Sequence, residues 1–196
     1  MPRHLIPALL AFSLVPPLAA AQTAAQAPAN ANVQAAPTVA IIVRHAEKGA
    51  TPANDPPLTE AGEARARALA AALVHANVQA VITTQLVRTR ETGRPVAEAR
   101  GLTMETVPVG GAVAEHAKAV ADAVRRHAGQ TVLVVGHSNT VTQIIAALGG
   151  PKLPDLCDSQ YSNLYTVVLD GAAARLITGT FGAPSPEVAT GCPAMK

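Results

Sequence analysis

Two short runs of apolar residues constrain the fold of this chain more than any other feature. Val39–Val43 reads VAIIV, β-branched at four of five positions, and Thr131–Val135 reads TVLVV. Neither alternates with polar residues, so neither suits a strand with one face in water. Each is expected to be a strand buried on both faces, as in a parallel sheet with helices on either side. Both runs end next to a histidine, at Arg44-His45 and at Gly136-His137.

The segments between these runs alternate strand and helix signals. Thr59 is a plausible N-cap for a helix from Glu60 to about Ala76, with Ala66, Leu69 and Leu73 on one face. Val78–Thr83 reads as a strand, and a helix from about Val87 to Arg100 is stopped by Gly101. Leu102–Val107 is a third strand. Val113–Ala128 is a helix with Val113, Ala117, Val120 and Val124 on one stripe, and Val141–Leu148 is a helix stopped by Gly149-Gly150. Leu164–Leu169 and Ala174–Thr180, separated by Asp170-Gly171, read as a terminal hairpin. The expected fold is α/β, a three-layer sandwich with a mainly parallel central sheet flanked by helices.

The start of the chain has a different character. Arg3 and His4 precede an apolar stretch from Leu5 to Leu18, and Ala19-Ala20-Ala21 follows as a small-residue cleavage site, so residues 1–21 read as a secretory signal peptide. Pro7, Pro16 and Pro17 interrupt that stretch, which falls short of the roughly 20 residues a membrane span needs. Residues 22–37 are poor in large apolar groups and read as a flexible linker. Residues 38–196 then form one domain of roughly 160 residues. The expectation is an exported protein, periplasmic or secreted, with no stable membrane insertion after cleavage. An oxidising compartment allows a disulfide between Cys157 and Cys192, worth about 3–4 kcal/mol in the chain-entropy view.

Cleavage would remove Arg3, leaving 14 of 15 Lys and Arg against 13 Asp and Glu, a net charge of +1. With no Trp, two Phe and two Tyr, stacking platforms for bases are also lacking, and nucleic acid is not an expected partner. Any recognition of anions must be local.

In parallel α/β sheets, ligands bind beyond the carboxyl ends of the strands. Of the six histidines, His4 lies in the signal peptide and His75, His116 and His127 lie in expected helices; only His45 and His137 follow buried strands. Zinc is one reading of such a pair, but the neighbouring Arg44 and Lys48 would repel a cation, and no HExxH or close Cys/His spacing is present. A serine hydrolase is another, since Gly136-His137-Ser138 resembles the start of a nucleophile elbow. That fold needs its catalytic histidine after the serine, and no histidine follows Ser138.

Three segments carry a more specific signal: Val43-Arg44-His45-Ala46-Glu47-Lys48, Thr84-Gln85-Leu86-Val87-Arg88-Thr89-Arg90-Glu91-Thr92, and Val135-Gly136-His137-Ser138-Asn139-Thr140. In order and spacing they resemble the signature blocks of the histidine phosphatase (phosphoglycerate mutase-like) superfamily, and Leu58-Thr59-Glu60-Ala61-Gly62 resembles the start of its first helix. The resemblance implies that His45 is phosphorylated and that Arg44, Arg88 and His137 bind the transferred phosphoryl group, with no cofactor. The chemistry agrees. Charge on the equatorial oxygens of a phosphoryl group in flight suits guanidinium forks. His45 must attack as neutral imidazole, and the charges of Arg44 and Arg88 are expected to keep it neutral.

The general acid is the gap in this pattern. Family members place an acidic residue between the second and third blocks. Here that segment is short, and its acids are Glu105, Glu115 and Asp122, of which Glu115 is the leading candidate; Glu47 follows the nucleophile closely. Lys48 and Thr51 are candidate phosphate contacts at the rim. The expected function is an exported phosphatase hydrolysing phosphomonoesters or related phosphorylated substrates through phospho-His45. A phosphate-ligand binding module with little turnover is the alternative motivated by the missing acid. A phosphoglycerate-type mutase fits less well, because it normally carries an acid-rich insertion absent here.

Overall fold

The computed structural model describes Met1 and residues 36–171 and 173–186. The signal-peptide and linker readings fall almost wholly on residues 2–35, which lie outside the described residues, as does Cys192.

Six strands form one sheet: β1 (Thr38–Arg44), β2 (Val78–Thr83), β3 (Met104–Thr106), β4 (Thr131–Gly136), β5 (Asn163–Asp170) and β6 (Ala173–Thr180). Their spatial order is β3-β2-β4-β1-β5-β6. The first four are mutually parallel, and β5 and β6 add antiparallel to the β1 edge. Four helices complete the domain: α1 (Glu60–Ala72), α2 (Val87–Arg100), α3 (Val113–Arg126) and α4 (Val141–Ala147).

The two apolar runs become the central pair, β1 and β4, and their successive side chains feed two cores. Ala40, Ile42, Val132 and Val134 pack with Ala117, Val120 and Val124 of α3 and Ile144 and Ile145 of α4. Ile41, Val43, Leu133 and Val135 pack with Leu69 of α1 and Val96 and Ala97 of α2. Each such fully buried Val, Leu or Ile contributes about 1.5–3 kcal/mol. A continuous apolar run is what a strand needs when both its faces are covered, so the fold is the three-layer α/β sandwich expected.

The element boundaries differ most at α1, β3 and α3. The first helix stops at Ala72 rather than near Ala76. Leu73 caps it, and Asn77, at φ 49°, turns the chain into β2. The third strand is only Met104–Thr106, because Leu102 belongs to the end of α2: Gly101 takes the left-handed conformation and the Leu102 N–H donates to Ala97 O. The third helix ends at Arg126, two residues early, with His127 as its cap.

The start of α1 is fastened to the loop after β1. Thr59 Oγ1 accepts from the Gly62 N–H at 3.2 Å, and the Thr59 N–H donates to Glu47 O at 2.9 Å. Gly62 permits this approach. A Cβ there would stand 3.1 Å from Glu47 N and inside the contact distance of the Glu47 carbonyl oxygen. Glu47 is backbone that cannot yield without moving the strand end beside it, so Gly62→Ala is expected to cost about 1–3 kcal/mol. Urea denaturation of the variant checks this; an unchanged midpoint would refute the close-packing account.

Candidate active site

The register of the central pair assembles the site. Arg44 pairs with Gly136 across the β1–β4 ladder, and the His45 N–H donates to Gly136 O at 2.9 Å. The next residue on each strand is a histidine. Their ring centroids therefore lie 5.4 Å apart, in edge-on contact. On the other side of β4, Thr84 follows β2, and its hydroxyl is 3.3 Å from His137 Nε2.

His45 is 3 % exposed, and its Nδ1 lies 2.8 Å from Ala46 O. A carbonyl can only accept, so Nδ1 carries the proton and Nε2 keeps its lone pair. Burial pushes the His45 imidazole down to about 2, with smaller contributions from His137, Arg44 and Arg88 and a partial offset from the Ala46 carbonyl. His137 is pushed down to about 3, again chiefly by burial, with Arg88, His116 and Arg44 adding to it. Burial thus outweighs the guanidinium charges expected from sequence to keep His45 neutral.

Arg88 lies in the first turn of α2. Its Nη1 is 3.7 Å from Asp55 Oδ1, which also accepts from the Val87 N–H at 2.9 Å. Asp55 therefore caps α2 and steadies Arg88 together. The sequence reading missed it because it stands in a Pro-rich loop remote from the three blocks. Other residues of the second block act as fasteners. Thr92 Oγ1 accepts from the Ala46 N–H and donates to Arg88 O, while Glu91 accepts from the Leu58 N–H.

Arg44, only 2 % exposed, is held differently from the expected open fork. Its Nη1 donates to Cys157 O at 2.8 Å and to Asp158 O at 3.0 Å, with Gln160 O at 3.3 Å. Its Nη2 reaches Asp158 Oδ1 and the Tyr161 hydroxyl, both at 3.4 Å. The Tyr161 ring lies under the guanidinium, 4.2 Å from ring centroid to Cζ. Only Nε remains. Both Arg44 Nε and Arg88 Nε are buried donors without a protein partner, an arrangement costly to leave unmet unless an anion completes it.

The candidate acids separate clearly. Glu47 is bound by Arg65, whose Nε donates to both carboxylate oxygens at 2.9 Å and whose Nη2 donates to Oε1 at 2.7 Å. Burial opposes ionisation of Glu47, but these bonds outweigh it and hold the carboxyl below its usual range. Glu105 is likewise kept low against burial by bonds from His127 and Arg126. Asp122 pairs with Lys118 and Arg125 along α3. Glu115 is exposed in the first turn of α3, and no contact joins it to the site among the described residues. Lys48 and Thr51 are also exposed. Lys48 bridges to Leu58, and neither touches the two histidines.

Cys157 is buried in the α4–β5 loop, and there is no free cysteine among the described residues. The expected pairing with Cys192 reaches outside them. A surface hollow of about 730 Å³ is lined by Thr38, Arg125, Leu148 and Leu169, at the end of β1 opposite His45. No group of three or more His, Cys, Asp or Glu suited to a metal ion occurs among the described residues.

The site thus gathers two strand-end histidines, the buried guanidinium of Arg44 and the part-buried guanidinium of Arg88, groups chemically suited to an oxyanion. The family description of the histidine phosphatase superfamily (branch 1) matches residues 40–109, which include Arg44, His45 and Arg88. The fold is shared with the protein histidine phosphatase SixA complexed with tungstate, at 21% identity over 72% of this chain and 96% of that one, TM-score 0.60. SixA from Agrobacterium tumefaciens is 25% identical over 75% and 99%, TM-score 0.53. A mycobacterial glucosyl-3-phosphoglycerate phosphatase is 15% identical over 76% and 100%, TM-score 0.57. No curated protein matches the sequence significantly. The match over residues 40–109 is to the histidine phosphatase superfamily (branch 1), and the solved structures share this chain's fold.

Two outcomes follow from the geometry. The buried imidazoles stay neutral in the folded protein down to about 2 and 3 but protonate near 6.5 once unfolded. The unfolded state therefore binds more protons between these values, and stability falls as pH drops below 6.5. A His45→Gln/His137→Gln variant should show a shallower fall in its urea midpoint from about pH 7 to about pH 5. An equally steep fall would place the proton uptake elsewhere. Separately, Asp55→Ala should lose about 1 kcal/mol through the missing cap while Asp55→Asn, which can still accept from Val87, retains most of it. Chemical denaturation of the two variants reads the difference.

Proposed function

We propose that this protein is an exported phosphatase that hydrolyses phosphomonoesters, or related phosphorylated substrates, through a phosphohistidine on His45. The observation that carries this reading is the tautomer of His45: Nδ1–H is committed to Ala46 O, which leaves Nε2 its lone pair, while Arg44 Nε and Arg88 Nε are buried donors without a protein partner. In the first step Nε2 attacks phosphorus in line while Arg44 Nε, Arg88 and His137 stabilise the equatorial oxygens. The bond to the leaving oxygen breaks as the N–P bond forms. Water then displaces His45 from phosphorus and frees phosphate. No cofactor is needed for either step.

Export is proposed from the signal-peptide composition of residues 1–21, and the Cys157–Cys192 disulfide is proposed with it. No helix among the described residues is long and apolar enough to cross a membrane. A phosphate-binding module with little turnover is favoured only by one observation: Glu47 and Glu105 are ion-paired carboxylates, and Glu115 makes no contact with the site.

Turnover of p-nitrophenyl phosphate by the purified domain decides between these readings. The wild type should form an acid-labile, base-stable phosphoenzyme and turn over, while His45→Ala does neither. Arg88→Ala should lower kcat by about 10²-fold or more, as expected when one preorganised charge is removed from a transition state. Equal rates for wild type and His45→Ala would eliminate the nucleophile assignment, and tight phosphate binding without hydrolysis would favour the binding module.

A further inference from the structure

The proposed reaction needs a proton for the leaving oxygen, and the carboxylates near the site are already occupied by cations. Glu47 is bound to Arg65, Asp55 lies against Arg88, and Asp158 lies against Arg44. One group beside the histidines differs in kind. Tyr161 carries a phenolic O–H, its ring is 6.3 Å from the His45 ring, and its hydroxyl is 3.4 Å from Arg44 Nη2. The side chain is half-buried.

The local structure fixes this phenol in place. The Tyr161 N–H donates to Ser185 Oγ at 2.9 Å. Gln160 closes the turn before it, accepting from the Cys157 N–H through its side chain and donating to Cys157 O through its backbone. The Leu156 N–H donates to Ser138 O, next to His137, tying the loop to the end of β4. Three carbonyls of this loop take up Arg44 Nη1, so loop and guanidinium hold one another.

Resting on the phosphohistidine reading of His45, we propose that Tyr161 is the catalytic acid and base that the family pattern leaves unfilled in this chain. In the first step the leaving oxygen takes the Tyr161 phenolic proton as the P–O bond breaks and the His45 N–P bond forms. The resulting phenolate is stabilised by Arg44, stacked on its ring and within 3.4 Å of its oxygen. In the second step the phenolate takes a proton from the attacking water as the N–P bond breaks, which restores the phenol and releases phosphate.

Tyr161→Phe is the informative variant, because Phe keeps the ring under Arg44 and removes only the hydroxyl. A general acid matters most when the leaving group is poor. The variant should lose about 10²-fold or more in kcat/KM on a simple alkyl phosphate, yet remain close to wild type for phosphoenzyme formation from p-nitrophenyl phosphate. Across aryl phosphates of increasing phenol pKa, kcat/KM should fall more steeply for Tyr161→Phe than for the wild type. Identical slopes, or an equal loss on both substrate types, would overturn the proposal, the latter assigning Tyr161 to holding Arg44 alone. His45→Ala run in parallel keeps the two readings apart: activity surviving there defeats the phosphohistidine reading itself, whatever Tyr161→Phe does.

Discussion

The parallel pairing of β1 with β4 is the constraint from which the site follows. It sets Arg44 opposite Gly136, so the residues immediately after the two strands, His45 and His137, leave the sheet side by side. A register slip of one residue would turn every side chain of one strand to the opposite face. Because both faces of both strands are packed, such a slip would exchange two complete cores. The packing that stabilises the fold therefore also fixes the position of the two imidazoles.

Around that pair the protein invests its buried polar chemistry in holding two guanidiniums. Arg88 is steadied from the β1–α1 loop by Asp55, and Arg44 is gripped from the α4–β5 loop by carbonyls and by the Tyr161 ring. A third arginine, Arg65, performs the same office for the framework. It ties Glu47, just after His45, to the carbonyls of Phe181 and Ala183 beyond β6. Breaking one partner of such a buried pair leaves an uncompensated charge, which costs far more than the pair itself contributes. These contacts make the loop after β1 a fixed part of the structure.

Different parts of the site were legible in the sequence to different degrees. His45 and His137 could be found because each ends an apolar run, and Arg44 and Arg88 because they stand in recognisable blocks. The caps at Thr59 and Gly101 also carry local signatures, which the structure repeats. Asp55 and Tyr161 carry none. Each lies in a loop outside the recognisable blocks, and each matters through a residue 33 or more positions away, as in the Tyr161–Arg44 contact with a separation of 117. Glu115 stands in the expected stretch of sequence, with its side chain exposed in the first turn of α3.

The sequence by itself determined the strands and the helices and singled out His45 as the candidate nucleophile, because these depend on local periodicity and on a few residues beside a strand end. Only the tertiary structure decided how the Arg44 guanidinium is used, which acids are silenced by ion pairs, and that burial is the main reason His45 stays neutral. Hydrogen bonding and desolvation depend on distances across the fold, and those distances exist only once the sheet has brought β1, β4 and the α4–β5 loop together.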